Sequence, residues 1–397
     1  FYDGSYDEDL AGPPTAGLVI DLATGVVTDG WGGRDTLSGV ENVVGSGLDD
    51  VLLGNANDND LEGGAGDDEI TGGAGSDTAS YHSAPSPVSV DLAIDGPQQT
   101  GGAGTDTLAE IENIDGSNFG DTLAGDATAN VINGGSGADL MSGGDGNDTY
   151  YVDNEFDEVF EEPGSIPATS PPLALGLPQG PDPRGTGAGI DTVIAQLSYT
   201  LKANVENLVL AGTAALDGAG NDLDNLLTGN GAANRLSGLD GRDVLDGGAG
   251  NDTLSGGAGN DTLGGGNGND VLGGGAGADA LRGGGGADGF LFDDAPAGGG
   301  SVDTVLDFSA GTDKLRLDDD VFTAFTAGTA LTAAQLRAGP GMTSADAPGQ
   351  RLIYDTASGA LYYDADGNGT GSTAVQFAVL GTTTHPSLSA ADFLIVT

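Results

Sequence analysis

Large apolar residues in this chain recur every ninth position. From Leu227 they fall at Leu236, Leu245, Leu254, Leu263, Leu272, Leu281 and Phe290. An amphipathic helix repeats apolar residues at three and four, and a half-buried strand at two; an interval of nine fits neither. Two residues before each apolar position stands Asp or Asn, and glycines fill most of the rest. The unit reads G-G-x-G-x-D-x-U-x, with U a large apolar residue. It divides into a six-residue loop and a three-residue strand, x-U-x, which points one apolar side chain to one side. Two units, 18 residues, make one turn with a loop on each edge. Stacked turns pair their short strands in parallel and line up their apolar residues inward, as in a solenoid. The predicted fold is all-β: a parallel β-roll or β-helix.

Three blocks keep this register. The longest, 220–291, holds eight units with Asn225, Asn234, Asp243, Asp252, Asp261, Asp270, Asp279 and Asp288 at position six. The block 45–80 places Asp50, Asn59, Asp68 and Asp77 there, and the block 116–151 places Asp121, Asn130, Asp139 and Asp148. A longer repeat encloses the shorter one. RDTLSGVENVVGS at 34–46 returns as TDTLAEIENIDGS at 105–117, and LVIDLATG at 18–25 as VSVDLAID at 88–95. An SY pair precedes both LVIDL and VSVDL, so a further module is expected upstream of Phe1. The prolines and glycines of 161–189 predict a loop or linker. The expected organisation is therefore a solenoid over 1–160, the linker 161–189, a second solenoid over 190–291, and a small β-rich cap over 292–397. The cap is read from runs such as RLIYDT and ALYYDA.

Composition then narrows the chemistry. The 397 residues include 75 glycines, 61 acidic and 10 basic residues, for a formal charge of -51. So acidic and glycine-rich a chain stays disordered unless something neutralises it. Nucleic acid is excluded as a partner, since a strongly negative surface repels phosphate. With no cysteine, disulfides and thiolate metal sites are excluded as well. No apolar run reaches the roughly 18 to 20 residues of a membrane helix. No signal peptide is visible, and the chain begins at Phe1, as a processed chain or fragment would.

Stacking places position six of each unit beside position six two units later, so Asp243 meets Asp261, Asp252 meets Asp270, Asp261 meets Asp279, and Asp270 meets Asp288. Carboxylates repeated at about 4.8 Å repel without a counter-ion. Calcium suits an all-oxygen set of carboxylates and carbonyls, magnesium demands stricter octahedra, and zinc favours histidine or cysteine. His82 and His385 are isolated, and no GxSxG, HExxH or phosphate-binding loop is present. The chain is therefore expected not to be an enzyme. Trp31 and Tyr362–Tyr363 fit core or cap packing better than sugar stacking. DADGNG at 364–369 matches the first half of an EF-hand loop, but Val375 stands where glutamate would close it, so a hairpin turn is the simpler reading.

Sixteen units in register resemble the RTX, or haemolysin-type, calcium-binding repeats, for which this nonapeptide is the signature. The resemblance implies calcium ions between successive loops on one edge. Carbonyls at positions two and four and the aspartate of one unit would face carbonyls at one and three and the aspartate of the unit two later. Carried over, Gly248, Gly250 and Asp252 face Gly265, Asn267 and Asp270; Gly257, Gly259 and Asp261 face Gly274, Ala276 and Asp279; Gly266, Gly268 and Asp270 face Gly283, Gly285 and Asp288. Six pairs carry aspartate on both sides and four carry one Asn, which would weaken binding, so six to ten ions are expected. Leu239 breaks the glycine pair of its unit. The resemblance also implies export by a type I system, with the last residues, DFLIVT, as its signal, and calcium-driven folding outside the cell. Two roles follow as expectations: an extracellular structural or adhesive scaffold able to self-associate head to tail, or the non-catalytic C-terminal region of a secreted protease, lipase or alginate epimerase.

Overall fold

The computed structural model describes residues 14–161, 189–295, 301–381 and 383–397. The predicted linker 161–189, apart from its two end residues, and the Ser5–Tyr6 pair lie outside the described residues. The chain divides into two compact units: residues 1–196 with 202–205, and residues 197–201 with 206–397. The division follows the strand Thr192–Ala195, which pairs in parallel with Thr149–Val152 in the first unit.

Both units are parallel β-rolls. In the first, three-residue strands follow one another at the nonapeptide interval: Val51–Leu53, Asp60–Glu62, Glu69–Thr71 and Thr78–Ser80. Alternate strands pair, so Leu52 sits beside Ile70 and Leu61 beside Ala79. One turn is thus 18 residues. Every position-eight residue of the three blocks is buried, from Leu52 to Phe290. The reason is geometric: a three-residue strand sends its middle side chain to the opposite face from its neighbours, and the closed turn makes that face the interior.

The second unit repeats the design with Leu227, Leu245, Leu263 and Leu281 in one column and Leu236, Leu254, Leu272 and Phe290 in the other. Its strands are longer than the predicted three residues. Thr253–Ala258, Thr262–Asn267, Val271–Ala276 and Ala280–Gly285 run on through the glycine pair. Several near-identical turns in succession let the first half of each loop pair with the loop a turn away, for example Gly266 with Gly284.

The roll does not stop at Leu291. Asp303–Val305 and Lys314–Asp318 add parallel strands to its two columns, and Phe393–Val396 pairs in parallel with Leu315–Asp318. Leu352–Asp355, Ala360–Tyr363 and Val375–Leu380 pair antiparallel in sequence order, while Leu336–Gly339 joins Leu352–Asp355 in parallel and Val375–Leu380 joins Asp303–Val305 in parallel. Phe292, Phe322, Tyr363 and Phe377 pack edge to face between them, at centroid distances of 5.0 to 5.1 Å. DADGNG joins two of these antiparallel strands. Asp366 there accepts the N–H groups of Gly371 and Ser372 and the Ser372 hydroxyl, so the segment is a hairpin connection folded onto its own carboxylate. Among the described residues no helix is long and apolar enough to cross a membrane.

Candidate metal centre

The position-six residues form ladders along the loop edges. The N–H of Asp50 donates to Asp68 Oδ1 at 2.8 Å, that of Asp121 to Asp139 at 2.7 Å, and that of Asn130 to Asp148 at 2.7 Å. In the second unit Asn225, Asp243, Asp261 and Asp279 are linked in this way, at 2.8 Å each. Asn234, Asp252, Asp270 and Asp288 form the parallel ladder at 2.7, 2.8 and 3.0 Å. One carboxylate oxygen of each aspartate is thereby fixed by the turn before it.

The other oxygen is the informative one. Oδ2 of Asp68, Asp77, Asp139, Asp148, Asp252, Asp261, Asp270 and Asp279 is buried with no hydrogen-bond partner. Buried carboxylate oxygens are hydrogen-bonded or face a metal. The surroundings fit the second case. A Cβ placed on Gly247 would lie 2.6 Å from Asp252 Oδ2 and 2.7 Å from the carbonyl oxygen of Gly265, and one on Gly116 meets Asp121 Oδ2 and the Gly134 carbonyl at 2.7 and 2.6 Å. The position-one carbonyl of the later unit and the aspartate of the earlier one thus converge where only glycine leaves room. The same convergence brings the Gly274 carbonyl to Asp261 and the Gly283 carbonyl to Asp270. All donors are hard oxygens, the set that calcium takes.

Other carbonyls of the expected set are engaged by neighbouring backbone. Asn267, Ala276 and Gly285 accept the N–H groups of Gly250, Gly259 and Gly268 at 2.8 to 2.9 Å, and Gly248 accepts that of Asn267. Each retains a second lone pair. Gly257 and Gly266, at position two, hold φ of +112° and +98°, a backbone region L side chains rarely adopt. Leu239 occupies that place with φ +79° and 43% of its surface exposed.

The sequence reading did not foresee how the ladders begin and end. In the opening units position two is Ser46, Asn55, Ser117, Asp126, Asn221 or Asn230 instead of glycine. Each of these side chains accepts the N–H two residues on, as Asn55 does from Asn57 and Asp126 from Thr128. Its own N–H donates to the position-six side chain, as Ser117 to Asp121 and Asn230 to Asn234. All four Asn of position six lie in such opening units. Their amides donate back to the preceding turn: Asn59 to the Glu41 carbonyl, Asn130 to Glu112, Asn225 to Glu206 and Asn234 to Leu216, at 2.8 to 3.2 Å. Three of those acceptors are the glutamate of the recurrent E-N motif (ENV, ENI, ENL), the one sequence signal that marks a ladder's start.

The ladders also continue past the nonapeptides. Asp68 N–H meets Asp106, Asp77 meets Glu112, Asp139 meets Asp157, Asp148 meets Asp191, Asp279 meets Asp303 and Asp288 meets Asp313, at 2.8 to 3.1 Å. Three of these closing carboxylates hold local donors on their second oxygen: the Thr100 hydroxyl on Asp106, the N–H groups of Asp153 and Asn154 on Asp157, and the N–H of Ser309 on Asp313. The opening loops and these three closing loops are therefore satisfied by the protein itself, and the turns between them carry unpartnered oxygens.

Burial makes these carboxyls weaker acids. It pushes Asp68 and Asp252 up to about 6, and Asp139, Asp148 and Asp261 up to about 7, the neighbouring ladder carboxylates adding to the shift. Asp279 and Asp303 are raised together by burial.

The model of the RTX calcium-binding nonapeptide repeat matches four stretches, 44–79, 115–150, 228–263 and 255–290, which fall on the three blocks. No curated protein matches the chain. Among solved structures, the AlgE6R3 subunit from the Azotobacter vinelandii mannuronan C5-epimerase is similar over 44% of this chain and 78% of its own, at 26% identity and a TM-score of 0.23.

Proposed function

We propose that this chain, which carries RTX calcium-binding nonapeptide repeats, is a secreted scaffold whose folding waits for calcium and whose folded rolls serve a structural or adhesive role outside the cell. The observation that carries this reading is the row of buried, unpartnered aspartate oxygens in the interior turns of each unit. Without a cation those carboxylates oppose folding, because a buried charge lacking a partner is strongly disfavoured. With calcium, the binding free energy becomes folding free energy. A chain of this kind stays extended in a compartment poor in calcium, passes through a type I exporter unfolded, and closes turn by turn outside.

The proposal gives the protein no catalytic role. Among the described residues between the opening strand and the cap, the buried aspartates of the repeat blocks are engaged in the ladders. The test is a calcium titration from the chelated state, followed by circular dichroism and light scattering. Cooperative gain of β signal with growing particles is the expected result, growth reflecting head-to-tail association. Gain of β signal in a monomer keeps the calcium-built roll but replaces the scaffold by the non-catalytic region of a secreted enzyme. No response to calcium sinks the proposal.

A further inference from the structure

The geometry points to a calcium site that extends beyond the three nonapeptide blocks, made by Asp148, Glu161 and Asp191 at the end of the first unit's roll. Their carboxylate oxygens lie within 4.8 Å of one another, and the three side chains are 1%, 3% and 0% exposed. Only Asp148 lies within one of the three repeat blocks. Glu161 comes eleven residues after Tyr150, in a stretch with no glycine pair, and Asp191 belongs to the IDTV run that opens the strand Thr192–Ala195.

Each carboxylate is held by a main-chain N–H. Asn130 N–H holds Asp148 Oδ1 at 2.7 Å, and Asp148 N–H holds Asp191 Oδ1 at 2.8 Å. Glu161 Oε1 accepts the Gly143 N–H at 3.2 Å and the hydroxyl of Tyr150. Tyr150 occupies a position that leucine or isoleucine fills in other turns, and its ring is fully buried. It extends from the apolar column toward the loop edge, and its hydroxyl reaches the glutamate. The Asn204 side chain fixes the Glu161 main chain by donating to its carbonyl at 3.0 Å. The second, independent sign of a ligand is Asp148 Oδ2, which is buried without a partner and which converges on Gly143 together with the Tyr150 hydroxyl that meets Glu161.

Three convergent carboxylates with no nitrogen or sulfur donor form a hard-oxygen set, which selects calcium over zinc. Three negative charges at such separations are held together by a divalent cation and driven apart without one. The site has a topological consequence. Glu161 and Asp191 lie 30 positions apart in the sequence, on either side of 162–190, so one ion would hold both of them to Asp148 in the last nonapeptide of the second block. The choice of calcium rests on the reading of the ladders above, but the site stands or fails separately from them.

The test uses the full chain and counts calcium equivalents by equilibrium dialysis for the wild type, Glu161→Gln and Tyr150→Phe. Glu161→Gln keeps the acceptor for Tyr150 and Gly143 and removes one charge. It is expected to bind one equivalent fewer with its β signal in calcium intact. An unchanged count overturns the site and means that shared protons hold the three carboxyls. Terbium, substituted for calcium, provides the second measurement, since Tyr150 adjoins the site and sensitises emission from an ion held there. Tyr150→Phe should lose a discrete share of tyrosine-sensitised terbium emission. Unchanged emission overturns the site, and this arm decides the matter if Glu161→Gln fails to fold. Loss of calcium binding by the wild type itself would instead refute the ladder reading.

Discussion

The side-chain amide of Asn130 donates to the main-chain carbonyl of Glu112 at 2.8 Å, bridging two turns at the place where, one turn later, Asp148 Oδ2 has no donor to meet. A neutral amide thus closes the first step of the ladder, and later steps are left to a cation. Asn59 and Asn225 repeat the arrangement with Glu41 and Glu206. Asparagine at position six is therefore a different device from aspartate, since it joins turns without metal.

Replacing Asn130 by Asp removes that donor and adds a buried negative charge. The calcium-free protein should lose about 1–3 kcal/mol, the cost of leaving a buried polar group unpaired, while the calcium-loaded protein loses less. Denaturant melts in chelator and in calcium measure both. Equal losses in the two conditions would show that the amide bridge is not a substitute for an ion.

The reverse change is expected at Asp261. Asp261→Asn keeps the Oδ1 acceptor for Asp243 and removes a carboxylate that burial disfavours. In chelator the variant should melt no lower than the wild type, and in calcium it should gain less. Thermal melts at matched free calcium give the comparison, and a variant as responsive to calcium as the parent would contradict the assignment of Asp261.

The pH dependence has a definite sign. Asp68, Asp139, Asp148, Asp252 and Asp261 are raised to about 6 or 7 in the folded state, against about 3.9 for an unfolded aspartate. A raised carboxyl stabilises the fold when protonated; that stability is full below about 4 and is lost as pH rises through 6 to 7. In chelator, β signal should grow as pH falls from 8 to 5. Over the same window the calcium needed for half-folding should rise, because protons compete for the same oxygens. Circular dichroism at fixed free calcium and stepped pH reads both, and a flat profile would contradict the burial of these groups.

The apolar columns supply the stability that calcium does not. Leu263 stacks between Leu245 and Leu281 and is 1% exposed. Leu263→Ala should cost about 2–5 kcal/mol whether or not calcium is present. A loss confined to one condition would mean that the column forms only with the ion.

The interval of nine was enough to foresee a parallel roll, because a period so regular permits one stacking. Leu52, Leu61 and the six central leucines of the third block therefore lie where the pattern puts them. The pairing of Asp252 with Asp270, and of Asp261 with Asp279, follows from the same period. Less legible was the part played by position two. Ser46, Asn55 and Asn221 look like lapses from glycine, but their side chains close the loop through hydrogen bonds whose geometry no spacing rule contains. Asp106, Asp191, Asp303 and Asp313 were hidden for another reason. They stand 24 to 43 residues from their ladder partners, or follow loops without the glycine signature, so insertions break the period while the fold preserves the stacking.

Parallel pairing at 18-residue intervals also sets how each roll would respond to tension. Every strand of the third block is bonded to neighbours one turn before and one turn after, so a pull on the chain loads the outermost turn first and leaves the others in register. Each turn that detaches releases about 60 Å of contour, at roughly 3.3–3.6 Å per residue. Force would be shed in small, repeated, reversible steps, and the ion concentration outside would set the load at which each step occurs.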